Sequence, residues 1–275
     1  YLASIDTSKG SAGIPIIWGT DAVHGHNNVI GATIFPHNIA LGAVGDPELT
    51  AAIAGATARE VSATGIDWIF APTLAVALDP RWGRTYESYG SSPALVKEFA
   101  GGVVEAMQKE GIVATAKHFI GDGGTHRGID QGDTRLGKDD LMSIHGQGYL
   151  SAIESGVMTV MASFNSWNGD KIHGNSELLT GLLREELGFD GFVVSDWNGI
   201  GQVTGCEPDD CVQAINAGID MVMVPKDWKT LFHNMIEQVR SGAITAARID
   251  EAVSRILKVK IQSGLMERGL PSKRA

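Results

Sequence analysis

Six short runs of apolar, largely β-branched residues recur along the 275-residue chain, and they limit the folds open to it. They read IPIIW at 14–18, IDWIFA at 66–71, IVATA at 112–116, VMTVMA at 157–162, GFVVS at 191–195 and IDMVMV at 219–224. Each is near-continuous rather than alternating, as expected of strands buried on both faces of a parallel sheet. Helical stretches separate them. Asp46-Pro47 and Ser92-Pro93 each place a capping side chain before a proline at the first helical position, predicting helices to about Thr64 and Glu110. Further helices are expected over 139–155, 176–187, 227–240 and 246–263. Strand, loop and helix in repetition predict a parallel α/β fold. A (β/α)8 barrel and an open doubly wound sheet both satisfy the pattern. The 35 glycines are about twice average usage and mark the many tight turns that such a fold needs.

At 43% hydrophobic and 20% charged residues the chain is globular. A net charge of −10 makes it a poor partner for nucleic acid or an anionic membrane. No apolar run approaches the ~18–20 residues that cross a bilayer. No Pro-, Ser- or charge-rich linker divides the chain, so residues 1–266 read as one domain and 267–275 as a polar tail. Residue 1 is Tyr rather than Met, and only six strand–helix repeats are evident, so the barrel is expected to be incomplete at its N-terminus.

In a parallel barrel the chemistry gathers where strands end. Here those positions carry Asp21, His24 and His26; Asp79, Arg81, Trp82, Arg84 and Glu87; Lys117 and His118; Phe164 and Trp167; and Asp196 and Trp197. Carboxylates accept from hydroxyls, cationic side chains donate, and tryptophan covers C–H faces, so the set suits a sugar. Breaking a glycosidic bond needs a pair of carboxyl groups. Asp196 directly follows an apolar strand and is the candidate nucleophile, with Lys117 or Arg84 keeping it ionised. An Asp in that position is also a common helix N-cap. Asp21 could hold sugar hydroxyls or tie down its loop through His24. Asp79 and Asp122 read as turn residues, and Glu87 as a partner of Arg84 or Arg81. The His24/His26 spacing does not suit a helical zinc site, and no metal or other cofactor is expected. Lys117 as the amine of a pyridoxal enzyme would require a phosphate loop near the last strands, and 225–228 (PKDW) does not resemble one. Cys206 and Cys211 flank a Pro-containing acidic turn; a local disulfide, and hence an oxidising compartment, is expected, with two free thiols the alternative.

Together these segments resemble family 3 of the glycoside hydrolases, the β-glucosidases and exo-β-glucanases. The resemblance rests on Gly19-Thr20-Asp21-Ala22-Val23-His24-Gly25, Asp79-Pro80-Arg81-Trp82-Gly83-Arg84, Lys117-His118-Phe119-Ile120-Gly121-Asp122-Gly123, Ser166-Trp167-Asn168-Gly169 and Val194-Ser195-Asp196-Trp197. They occur in the family's order and span nearly the whole chain. The resemblance implies a (β/α)8 barrel and a retaining, exo-acting enzyme that releases glucose from non-reducing ends without a cofactor, in the periplasm or outside the cell. Its substrate would be a β-glucan oligosaccharide or β-glucoside; a β-xylosidase and a non-catalytic sugar-binding barrel are the alternatives. Asp196 matches the nucleophile. Asp21, Arg84, Lys117 and His118 match residues holding the terminal sugar, and Trp197 an aromatic flanking it. Phe164 stands where plant exo-glucanases carry Tyr, so a hydroxyl contact is lost. Gln131 and Gln202 stand in place of a Glu and an Arg, which alters the rim. The general acid/base in two-domain members is a Glu from a following α/β sandwich domain, expected beyond Ala275. The single-domain β-N-acetylglucosaminidases use an Asp-His pair whose flanking elements are missing here, so that branch is set aside.

Overall fold

The structure, a computed structural model, describes residues 2–10 and 12–268. Five strands form its main sheet: β1 (Gly19–Thr20), β2 (Trp68–Ile69), β3 (Val113–Phe119), β5 (Thr159–Ala162) and β8 (Phe192–Val194). Every pairing in it is parallel, and the order is β1-β2-β3-β5-β8. Strands therefore add in chain order, with no reversal. That is barrel winding, and it excludes the doubly wound alternative, which needs a switch point. The sheet is curled. β2 and β8 would lie about 14 Å apart in a flat sheet, yet the rings of Trp68 and Phe192 have centroids 5.3 Å apart. The Trp68 indole N–H donates to Thr115 and Thr159 on the two strands between, at 2.7 and 3.1 Å. Val259 of the C-terminal helix packs onto this inner cluster with Trp68, Val113, Met161 and Phe192. The result is a half-barrel with a helix against its open side.

The larger core lies on the outer face of the curl. It joins Val61, Phe99, Val103, Leu141, Leu178 and Leu182 from the surrounding helices to Ile69, Ala114, Val160 and Val193 of the strands. The two capped helices form as expected. Pro47–Ala63 is capped by Asp46, whose carboxylate accepts from Leu49 N, and Pro93–Lys109 by Ser92. The helix expected over 139–155 is two, Lys138–His145 and Gln147–Glu154, with Gly146 at the break. The first expected strand is displaced. Residues 14–18 are not a strand, and pairing begins at Gly19, directly before Asp21. Residues 219–224 contribute a single parallel bridge, Val194 to Met221. The reason there is Asp220, whose carboxylate accepts from Val193 N at 2.9 Å and displaces a ladder bond.

A second sheet lies beside the first. It comprises β4 (Asp133–Thr134), β6 (Ser166–Trp167) and β7 (Asp170–Lys171) in the order β4-β6-β7. β6 and β7 are an antiparallel hairpin joined by Asn168-Gly169. Both turn residues have positive φ, 51° and 99°, as a type I′ turn requires and as Asn-Gly supplies. The anticipated Cys206–Cys211 disulfide is present. Residues 269–275, most of the expected linker, lie outside the described residues, and no helix among those described is long and apolar enough to cross a membrane.

Candidate active site

A cavity of about 300 Å³ opens at the C-terminal ends of the main-sheet strands. It is lined by Asp21 after β1, Phe70 after β2, Lys117 and His118 of β3, Arg84, Met161, Asp196 and Trp197 after β8, and Met223. Six of the seven residues singled out from the sequence therefore meet in one place. The seventh, Phe164, does not line this cavity. Its ring lies against His173 instead, with centroids 6.0 Å apart. Of the strand-end tryptophans only Trp197 lines it. Trp82 is buried and donates to Asp130 at 3.0 Å, and the Trp167 indole donates to the Leu136 carbonyl at 2.8 Å. A second cavity of about 280 Å³ shares Asp21, Arg84 and Lys117 and is walled by His24, His37 and Tyr86.

Asp196 is buried, with its backbone held on both sides. Its N–H donates to His173 Nε2 at 2.9 Å, and its carbonyl accepts from Gly199 N at 2.9 Å. Oδ1 accepts the Trp197 N–H at 2.6 Å. Oδ2 accepts no hydrogen bond among the described residues. A buried carboxylate oxygen without a donor is costly in a merely structural role. The helix N-cap alternative does not apply: Asp196 precedes a short turn, Gly199–Gln202, and its one carboxylate bond is to the adjacent residue.

Around it the polar groups form a fixed chain. Arg84 grips Glu87 with two bonds of 2.7 and 2.9 Å, as anticipated. Burial alone would lower the Arg84 pKa, but the Glu87 carboxylate outweighs it and keeps the guanidinium charged. A second Arg84 donor reaches His118 Nε2 at 3.1 Å. A guanidinium only donates, so Nε2 is the acceptor and the ring proton is on Nδ1. That proton goes to Asp122 Oδ2 at 2.9 Å. Asp122 lies in the turn expected from its glycines, Asp122–Gly124, and is in addition a buried orienting partner. Asp122 Oδ1 also accepts Gly123 N–H at 3.1 Å, and burial pushes its pKa up to about 6. Burial, reinforced by the Arg84 charge, lowers His118 to about 3, so the imidazole is neutral at pH 7. Its Nε2 lies 3.7 Å from Asp196 Oδ2, too far for a bond.

Lys117 is buried and reaches up to Asp21 at 2.8 Å, while the Asp21 side chain is 65% exposed. An exposed carboxylate over a buried ammonium can accept hydroxyls and pass their orientation down. The loop alternative for Asp21 is not what forms, since His24 Nδ1 instead contacts the Phe35 carbonyl at 3.0 Å. Among the described residues no three His, Cys, Asp or Glu side chains come together as a metal site. Phe70, Met161 and Met223 supply an apolar floor that was not legible in the sequence. His173 was also missed: the Asn168-Gly169 signal marks the hairpin before it, and only the contact with Asp196 N, 23 residues on, places it at the site.

Three buried histidines bear on acid stability. Burial first, then neighbouring charge, holds His118 and His173 near 3, and burial lowers His145 to about 4. Folded pKa values below the unfolded ~6.5 give stability that is full above pH 6.5 and lost as pH falls. Each group costs about 1.4 kcal/mol per pH unit over that window. Asp122, raised from 3.8 to about 6, acts oppositely between those values and offsets one of the three. The melting temperature should therefore drop by several degrees per unit below pH 6. Calorimetry between pH 7 and 5 checks this, and a flat profile would refute the neutral, buried assignment.

The chain matches the model of the "Glycosyl hydrolase family 3 N terminal domain" over residues 1–259. It is 34% identical to a lysosomal beta glucosidase of Dictyostelium discoideum, over 95% of this chain and 34% of that protein. It is 30% identical to a periplasmic beta-glucosidase of Salmonella typhimurium, over 92% of this chain and 33% of that protein. Among solved structures, an exo-1,3/1,4-beta-glucanase from a Pseudoalteromonas species superimposes with a TM-score of 0.97 and 53% identity, covering 100% of this chain and 36% of that one. A beta-glucosidase from Listeria innocua in complex with isofagomine gives 0.86 and 30%, covering 94% and 37%. The chain thus spans about a third of the length of these relatives.

Proposed function

The chain belongs to glycosyl hydrolase family 3, and from that premise we propose that it carries the nucleophile and sugar pocket of a retaining, exo-acting β-glucosidase or β-glucan glucohydrolase. The observation that carries the proposal is the Asp196 carboxylate, with one oxygen fixed by Trp197 N and the other left without a donor in a strand-end cavity. That free oxygen attacks the anomeric carbon of a terminal β-glucosyl unit, and the aglycone oxygen leaves with the bonding pair. A proton must reach that oxygen. The cavity's other carboxylate, Asp21, is paired with Lys117. Following the resemblance to two-domain members of the family, we assign the acid to a Glu of a C-terminal α/β sandwich domain, with residues 1–266 as the barrel domain and 267–275 as the start of the linker. Water then attacks the glycosyl-Asp196 ester, helped by the same Glu acting as base.

Asp21, Lys117 and Arg84 offer acceptors and donors to the sugar hydroxyls, and His118, its two nitrogens taken by Arg84 and Asp122, holds Arg84 in place at the cavity wall. Trp197 and the Phe70–Met161–Met223 floor cover its C–H faces. A β-glucoside or short β-glucan fits this polarity. The names of two relatives, "Periplasmic beta-glucosidase" and "Periplasmic beta-glucosidase/beta-xylosidase", together with the disulfide, support a periplasmic or extracellular setting.

The test is covalent trapping. An activated aryl 2-deoxy-2-fluoro-β-glucoside, whose leaving group needs no proton, should label Asp196, located by peptide mass spectrometry. A label on another residue, or none, would overturn the assignment.

A further inference from the structure

We propose that His173 is a positioning residue for the nucleophile, setting the direction of Asp196 Oδ2 through the backbone; this rests on the reading of Asp196 given above. His173 is fully buried at the far end of the hairpin β6–β7, yet its Nε2 meets the Asp196 N–H at 2.9 Å. A peptide N–H only donates, so Nε2 is the acceptor and the ring is the Nδ1–H tautomer.

The ring is clamped on two sides. Phe164 packs against it. Gly199 leaves the space the ring needs, since a Cβ there would overlap Nε2 and Cε1. Gly199 N in turn donates to the Asp196 carbonyl at 2.9 Å. Ser195 Oγ donates to that same carbonyl at 3.0 Å and accepts Met223 N–H at 2.8 Å. The Asp196 peptide is thereby pinned at N by His173, at O by its neighbours, and at Oδ1 by Trp197. Oδ2 is left without a donor beside His118, whose Nε2 lies 3.7 Å away at the cavity wall.

Removing the acceptor leaves a buried N–H without a partner. The peptide is then free to turn, and Oδ2 turns with it. Misplacement of a reacting atom by about 1 Å can cost about 10²-fold in rate. Binding of the sugar, made by Asp21, Lys117 and Arg84, does not pass through this bond. The expected signature is a loss of reactivity with binding kept.

The experiment measures the rate constant and saturation constant for trapping by the activated 2-deoxy-2-fluoro-β-glucoside in the 275-residue chain and in His173→Leu and His173→Gln. Leu fills the space without an acceptor, and Gln offers Oε1 to the same N–H. His173→Leu should lower the maximal trapping rate about 10²-fold, with the saturation constant little changed. His173→Gln should recover a substantial part of that loss. A Leu variant that traps at the parent rate, a loss confined to the saturation constant, or a Gln variant as slow as Leu would each overturn the proposal. A parent chain that takes no label at Asp196 instead overturns the nucleophile reading, and this inference falls with it. Should the variants not fold, ¹⁵N NMR of the histidine rings in the unsubstituted chain decides: a protonated Nδ1 and bare Nε2 at His173 support the bond, and a protonated Nε2 refutes it.

Discussion

Asp196→Gly is expected to abolish trapping by the fluoro-sugar and to lower turnover of activated aryl β-glucosides by at least about 10³-fold, the scale seen when a covalent nucleophile is removed. The reason is geometric. Oδ2 of Asp196 accepts no hydrogen bond among the described residues, and the His118 lone pair near it cannot replace it because that nitrogen accepts from Arg84. Glycine removes the carboxylate and leaves a space bounded by Trp197, Met223 and His118. A small anion fits such a space. Added azide should attack the anomeric carbon from the vacated side while the aryl group leaves, giving the α-glucosyl azide. Unchanged turnover in the glycine variant would remove Asp196 from the chemistry. A β-configured azide product would reverse the face assigned to it.

The second large effect falls on stability. Asp220→Asn is expected to cost about 3–5 kcal/mol, the range for breaking a buried ion pair on one side. Its carboxylate is fully buried and meets three guanidinium groups, Arg184, Arg248 at 2.8 Å and Arg255 at 3.1 Å, as well as Val193 N. Burial lowers the Arg184 pKa to about 10, so that cation depends on its partner. Asparagine keeps the shape and loses the charge, leaving three cations around a neutral amide. At about 2–4 °C per kcal/mol for a domain near this size, the melting temperature should fall by roughly 10 °C. The exposed pair Arg240–Glu237 is the contrast, and Glu237→Gln should move the melting temperature little. Equal shifts in the two variants would mean that the Asp220 cluster does not hold β8 to the helices around it.

The parallel α/β class was legible because strands buried on both faces must be apolar throughout. Both proline-capped helices were legible because a cap is a contact over three residues, as Asp46 to Leu49 shows. The displaced first strand was not. Residues 14–18 are as apolar as a strand, but partner bonds decide pairing, and these begin at Gly19 opposite Trp68. Nor was the end of β3 legible, because it runs past 116 to Phe119 through Lys117 and His118, which are polar yet buried. The second sheet lay in an Asn-Gly signal read only as part of a longer motif.

The site divides the same way. Residue type and position after a strand identified Asp21, Lys117, His118, Asp196 and Trp197, since parallel strands end at one edge and deliver whatever follows them there. Arg84 came from the longer loop after the second apolar run, and the family's motif then matched it to the terminal sugar. Phe164 had the same credentials and went elsewhere, onto His173. Asp122 lies in a turn as it looked, and is also the buried partner of the His118 ring. The sequence by itself thus determined the parallel α/β class and the chemistry gathered at one end of it, because both follow from periodicity and from what adjoins a strand, while the strand order that makes the winding a barrel came from the structure. Only the tertiary structure decided which oxygen of Asp196 is free, which nitrogen of each histidine accepts, and which three arginines share Asp220. Those depend on partners 23 to 36 residues away in the chain, brought within hydrogen-bond distance by packing, and no local pattern encodes a contact of that range.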